Sequence, residues 1–166
     1  MGVGRRATDP QTRRTMYLTD TGGLFKALAD LNLPRGDYVV CGSAALYVRG
    51  LRARMGDLDI LARGTAWRIA CTLALPTPSP IGRGCVITHP TASIEIMSEW
   101  QLGPSHLAWD TDTLIERADV IDGMPIMRLG DVLAWKETHR RPKDLPDIAA
   151  IHDLHRMWQG KAAALY

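Results

Sequence analysis

The sequence predicts an α+β domain, a mixed β-sheet with helices flanking it. Three observations point there. Short β-branched and apolar runs alternate with helical stretches along the chain. A late Asp122-Gly123 pair sits between two such runs, the signature of a two-residue hairpin turn. A length of 166 residues, 46% hydrophobic and 23% charged, suits one globular domain with a sizeable core.

Each element has its own signal. Residues 1–18 are polar, Arg-rich and aperiodic, so a mobile N-terminal arm is expected ahead of a single domain over residues 19–166. Residues 20–31 predict a helix with Leu24, Leu28 and Leu31 on one face. Residues 37–41 are the first strand. Ser43 stands at a helix-capping position, and residues 44–49 continue as helix. Residues 57–61 are the second strand. A helix over 65–75 stops at Pro76-Thr77-Pro78-Ser79-Pro80. Residues 85–88 and 93–97 are strands on either side of His89-Pro90. Residues 100–113 read as a loop holding Trp100 and Trp109. Residues 117–121 and 124–127 are the arms of the Asp-Gly hairpin. Helices over 129–138 and 144–157 follow, separated by Arg140-Arg141-Pro142.

Composition narrows the function classes. A net charge of +2 is too small to argue nucleic-acid binding by bulk electrostatics. Sixteen arginines against four lysines favour phosphate contacts, but GC-rich coding biases usage the same way. Cys41, Cys71 and Cys85 are odd in number and lack metal-type spacing, so free thiols are expected. No apolar run approaches the ~20 residues of a membrane span. The first residues lack a signal-peptide core, and Arg6 stands where a myristoylation signal needs Ser or Thr. No membrane association and a cytoplasmic location are therefore expected. The phosphate-loop, dinucleotide, Gly-x-Ser-x-Gly and His-Glu-x-x-His motifs are absent.

The chemistry-bearing pattern is Gly42-Ser43, then Asp57-Leu58-Asp59-Ile60. Alternate strand residues point the same way, so Asp57 and Asp59 share a face while Leu58 and Ile60 turn to a core. Two like charges on a half-buried strand repel and desolvate poorly. A divalent cation resolves both costs, which makes the pair a hard-metal candidate; the bland reading is a solvated strand end. Glu95 lies between Ile94 and Ile96 on a later strand. Beside the aspartate strand it completes a carboxylate cage suited to Mg²⁺; on an edge strand it is merely exposed. Gly42-Ser43 is a strand-to-helix turn that allows close backbone approach and a phosphate cradle, or a plain helix cap. Arg49, Arg52 and Arg54 crowd the loop before the aspartates, where one of them can hold a triphosphate. Lys136 on an apolar helix can snorkel. Asp144 can cap the last helix, with Asp147 in a box-like position. His152 and His155, three apart, form a two-ligand metal site or a surface pair.

This order of motifs resembles the nucleotidyltransferase superfamily with its polymerase-beta-like core. Residues 129–136, Leu-Gly-Asp-Val-Leu-Ala-Trp-Lys, and 141–148, Arg-Pro-Lys-Asp-Leu-Pro-Asp-Ile, look like the AbiEii-type branch, which includes toxin nucleotidyltransferases. The resemblance implies a polymerase-beta-like fold and Mg²⁺ or Mn²⁺ held by Asp57, Asp59 and Glu95, the catalytic carboxylates. It implies an NTP bound by Gly42, Ser43, an arginine assigned to Arg54, Lys136 and Asp144. The implied reaction moves an NMP to an acceptor hydroxyl and releases pyrophosphate. The acceptor expected first is RNA, tRNA in particular, or protein, in a toxin-like role with an antitoxin partner. A small molecule such as an antibiotic, or a non-catalytic binding role, are the alternatives. The chain departs from the pattern at Glu95, often aspartate, at Met55, often threonine, and at Lys143, often arginine.

Overall fold

The computed structural model describes residues 23–80, 83–102 and 107–163. The expected arm over residues 1–18, and the expected helix start at Asp20, lie outside the described residues. The architecture is α+β: a seven-stranded mixed sheet with flanking helices, plus a separate two-stranded ribbon.

Helix α1 (Leu24–Asp30) buries Leu24, Phe25 and Leu28, the face its Leu spacing predicts. Strand β1 (Tyr38–Cys41) is buried along its whole length, as expected of an apolar Tyr-Val-Val-Cys run inside a sheet. Helix α2 (Ser43–Tyr47) follows after Gly42 and ends near Gly50, which has positive φ. Gly42, rather than Ser43, holds its cap position, and no side chain caps the helix. Strand β2 (Leu58–Ala62) begins one residue after Asp57. Helix α3 (Gly64–Ala70) is shorter than its periodic signal, because the turns after it give way to the Pro-rich strand β3 (Thr77–Pro78). Proline is tolerated there because β3 is an edge strand.

Strands β4 (Cys85–Thr88) and β5 (Ile94–Met97) agree with expectation to within one residue. The stretch expected as loop contains a hairpin instead, β6 (Trp100–Leu102) paired antiparallel with β7 (Leu107–Trp109). Strands of three residues carry too few alternations to register as a pattern. Helix α4 (Thr111–Glu116) is capped by Asp110, whose carboxylate accepts from the amides of Asp112 and Thr113. Strands β8 (Asp119–Ile121) and β9 (Met124–Ile126) form the expected hairpin. Asp122 at φ 48° and Gly123 at φ 78° give the turn the double positive φ it requires. Helix α5 (Leu129–His139) ends in a left-handed Arg140, and a single 3₁₀ turn (Pro142–Asp144) leads into α6 (Leu145–Ala163).

The sheet order is β3-β4-β5-β2-β1-β9-β8. β1 runs antiparallel to β2 and parallel to β9, and β2 runs parallel to β5. The core centres on β2, β1 and β5, where Ile60, Leu61, Ile94, Ile96 and Val40 are fully buried. Each such side chain contributes about 1.5–3 kcal/mol relative to exposure. The three cysteines are free, and burial first, then the nearby Asp59 charge, pushes the Cys41 thiol well up, so it is a core residue. No helix among the described residues is long and apolar enough to cross a membrane.

Candidate functional site

The central strands carry the site. β1 delivers Gly42 and Ser43 at its end, and antiparallel pairing sets Asp59 opposite Cys41. Parallel pairing of β2 with β5 then sets Glu95 in register with Asp59, so both occupy the same face of the sheet. Gly42 is required twice over. Its φ of 62° is unfavourable to a side chain, and a Cβ there would lie 2.7 Å from Asp59 Oδ2. The missing methyl is what allows the turn to close over the carboxylate.

A hollow of about 370 Å³ opens at this end of the sheet. Gly42, Ser43, Asp57 and Asp59 line it from the sheet side; Lys136, Arg141, Lys143 and Asp144 line it from the α5–α6 side. Burial first, and then repulsion from Asp57 and Glu95, raises the Asp59 carboxyl from its ordinary 3.8 to about 6. Lys143 and Lys136 offset part of that rise. A carboxylate so burdened gains from any cation placed beside it.

The wall opposite is an ion-pair chain. Lys136 is only 3% exposed, so it does not snorkel. Its Nζ lies 2.9 Å from Asp144 Oδ1 and 2.9 Å from Asp147 Oδ2. Arg141 donates to both Asp144 oxygens, at 2.6 and 3.0 Å, and Arg52 donates to both Asp147 oxygens, at 2.9 and 2.8 Å. Burial pushes the Asp144 carboxyl up, but the Arg141 and Lys136 hydrogen bonds and charges outweigh it and hold it at about 2. Asp144 and Asp147 therefore serve this network rather than a helix cap or capping box. Arg141 also lies 4.5 Å over the Trp135 ring, which stacks on His139 and tilts against Trp100.

Placement separates the expected residues. Gly42, Ser43, Asp57, Asp59, Lys136 and Asp144 come together. Glu95 sits beside Asp59 but is exposed and does not line the hollow. Arg54 is turned to a neighbouring hollow with Thr91 and Ser93, and Arg49 pairs with Asp119 at 2.6 Å. Of the three loop arginines, Arg52 is the one that lines the hollow, beside Arg141 from the α5–α6 side. His152 pairs with Glu137 across α5 and α6 at 2.8 Å instead of joining His155. Trp100 lines the hollow, while the Trp109 side chain lies outside the described residues. Asp147, expected only as part of a capping box, joins the site's ion-pair chain, and Arg52 is the member of the arginine trio that reaches it. Asp147 falls three residues after Asp144, the spacing that puts two side chains on one helix face.

Among the described residues no group of three or more His, Cys, Asp or Glu is gathered closely enough to hold a metal ion. Two aspartates remain, and Mg²⁺ is commonly held by one or two carboxylates with waters and substrate phosphates completing its shell. The raised Asp59 carboxyl beside Asp57 fits that minimal donor set. Compared with known proteins, the chain matches no family model, no curated protein and no solved structure.

Proposed function

We propose that this chain is a metal-dependent nucleotidyltransferase, built on a polymerase-beta-like version of its mixed sheet. The observation that carries the reading is the charge-burdened Asp59, closed over by Gly42 beside Asp57 and faced across one hollow by Lys136, Arg141 and Lys143. Carboxylates on one wall and cations on the other suit a polyanionic ligand that brings a divalent cation with it.

Lys143, which makes no ion pair with a described residue, and the outer edge of Arg141 bind phosphate oxygens. The Ser43 hydroxyl binds them from the turn. Lys136 and Asp144 hold the wall in shape, since both are already committed to the buried network. Asp57 and Asp59 would hold Mg²⁺ or Mn²⁺, which when bound neutralises charge on the transferring phosphoryl group. In the reaction the acceptor oxygen forms a bond to the α-phosphorus of the NTP. The bond from that phosphorus to the pyrophosphate oxygen breaks, and pyrophosphate leaves with the electron pair. The acceptor proton is assigned to Glu95, exposed next to Asp59.

The AbiEii-like residues 129–148 and the arginine-rich residues 1–18 favour RNA, tRNA first, or protein as acceptor, with an antitoxin as regulator. Trp100 on the wall of the hollow favours a second reading, a small hydroxylated molecule such as an antibiotic. The exposure of Glu95 away from the lining of the hollow favours a third, a non-catalytic nucleotide binder. The test is incubation with each α-labelled NTP and Mg²⁺, in the presence of total RNA, cell protein or aminoglycoside-type compounds. Label in the RNA or protein fraction supports the first reading, and label in the small-molecule fraction the second. No label anywhere, with NTP still bound, leaves the non-catalytic reading.

A further inference from the structure

A second cavity lies near the far end of β1 from Gly42. It measures about 260 Å³ and sits between α1, the end of α2 and the β8–β9 hairpin. Its walls are mainly apolar: Phe25, Leu28, Val48 and Met124. It also has two charged residues, Arg35 and Asp122. Neither forms an ion pair or side-chain hydrogen bond with a described residue, whereas most of the described arginines do. Arg35 is held over the hairpin turn, since a Cβ on Gly123 would lie 3.2 Å from its Nη2. Its charge is felt inside the cavity: burial raises the Tyr38 hydroxyl, and Arg35 counteracts part of that rise.

We propose that this cavity binds a free α-amino acid with a large apolar side chain. The apolar walls take the side chain, Arg35 the carboxylate, and Asp122 the ammonium group. A simple carboxylate would leave Asp122 facing an anion, and a simple amine would leave Arg35 facing a cation. Only a ligand with both charges and an apolar body matches all three features. The volume of about 260 Å³ accommodates a phenylalanine- or tryptophan-sized molecule. The site shares no lining residue with the Asp57–Asp59 hollow and does not depend on the proposed transferase activity.

The test is calorimetric titration of the full chain with L-phenylalanine, L-leucine and L-tryptophan. 3-Phenylpropionate, 2-phenylethylamine and glycine serve as partial analogues. At least one of the amino acids is expected to bind one per chain, and each analogue at least tenfold more weakly than L-phenylalanine. Arg35→Gln and Asp122→Asn, both at exposed positions, should each weaken amino-acid binding at least tenfold without changing the melting temperature of the free protein. Asparagine suits the positive φ at 122, so the second variant keeps the turn. Absence of binding by all three amino acids overturns the proposal. So does equal binding of 3-phenylpropionate, which would mark an anion site, or binding insensitive to both variants.

Discussion

Asp59→Asn should stabilise the metal-free protein at alkaline pH and not at acid pH. The folded protein holds the Asp59 proton more tightly than the unfolded chain, with the carboxyl raised from 3.8 to about 6 by burial, then by Asp57 and Glu95. Stability from this group is therefore full below about pH 4 and declines as pH rises through about 6. The full difference corresponds to about 3 kcal/mol. Asparagine removes the charge but keeps a partly buried polar group, so a gain of about 1–3 kcal/mol is expected at pH 8. At pH 4 the wild-type carboxyl is mostly protonated and the gain should nearly vanish. The assay is urea unfolding followed by circular dichroism, with a chelator present, at both pH values. A variant less stable than wild type at pH 8, or shifted equally at both, would refute the electrostatic account of Asp59.

Other outcomes follow from the same geometry. Gly42→Ala should cost about 1–3 kcal/mol in unfolding experiments, because a Cβ 2.7 Å from Asp59 Oδ2 forces the turn away. Lys136→Met should cost about 3 kcal/mol or more, because it leaves Asp144 and Asp147 buried with one cation fewer; a change within 0.5 kcal/mol would contradict a structural role for the lysine. Asp144 acts in the opposite pH direction from Asp59. Held at about 2, it contributes stability above about pH 4 that is lost as pH falls through about 2, and Asp144→Asn should flatten that acid limb. Mg²⁺ and NTP together should raise the melting temperature more than the sum of their separate effects, since a shared site binds only the folded state. Purely additive shifts would argue for separate sites.

The central sheet was legible because its strands carry strong local signals. Val39-Val40, Leu58 to Leu61 and Ile94 to Met97 are apolar enough to announce buried strands, and Asp122-Gly123 announces a hairpin. The shared face of Asp59 and Glu95 followed from alternation once β2 and β5 paired in parallel. Depth did not follow: both residues sit between buried neighbours, yet Glu95 is exposed and Asp59 is closed in by Gly42. The ribbon β6–β7 was hidden by its brevity, and β3 by its proline. The ion-pair chain was legible only in fragments. Lys136 and Asp144 each had a local explanation, as a snorkelling side chain and a helix cap. Their pairing depends on the left-handed Arg140, which folds α6 back beside α5, and on Arg52 arriving from far along the chain. Local patterns carry no information about such encounters. Arg52 and Arg54 line different hollows, a choice made by the loop's path, which no periodicity sets.

The most direct measurement of the central claim is label transfer and pyrophosphate release by purified protein with α-labelled NTP, Mg²⁺ and the acceptor fraction that takes label. Wild type, Asp57→Asn and Asp59→Asn are compared after circular dichroism has shown all three folded. The account predicts one pyrophosphate released per label transferred by wild type. Both variants should lose activity by a factor on the order of a hundred or more. Transfer that persists undiminished in both variants, or no transfer by wild type to any acceptor, would contradict it.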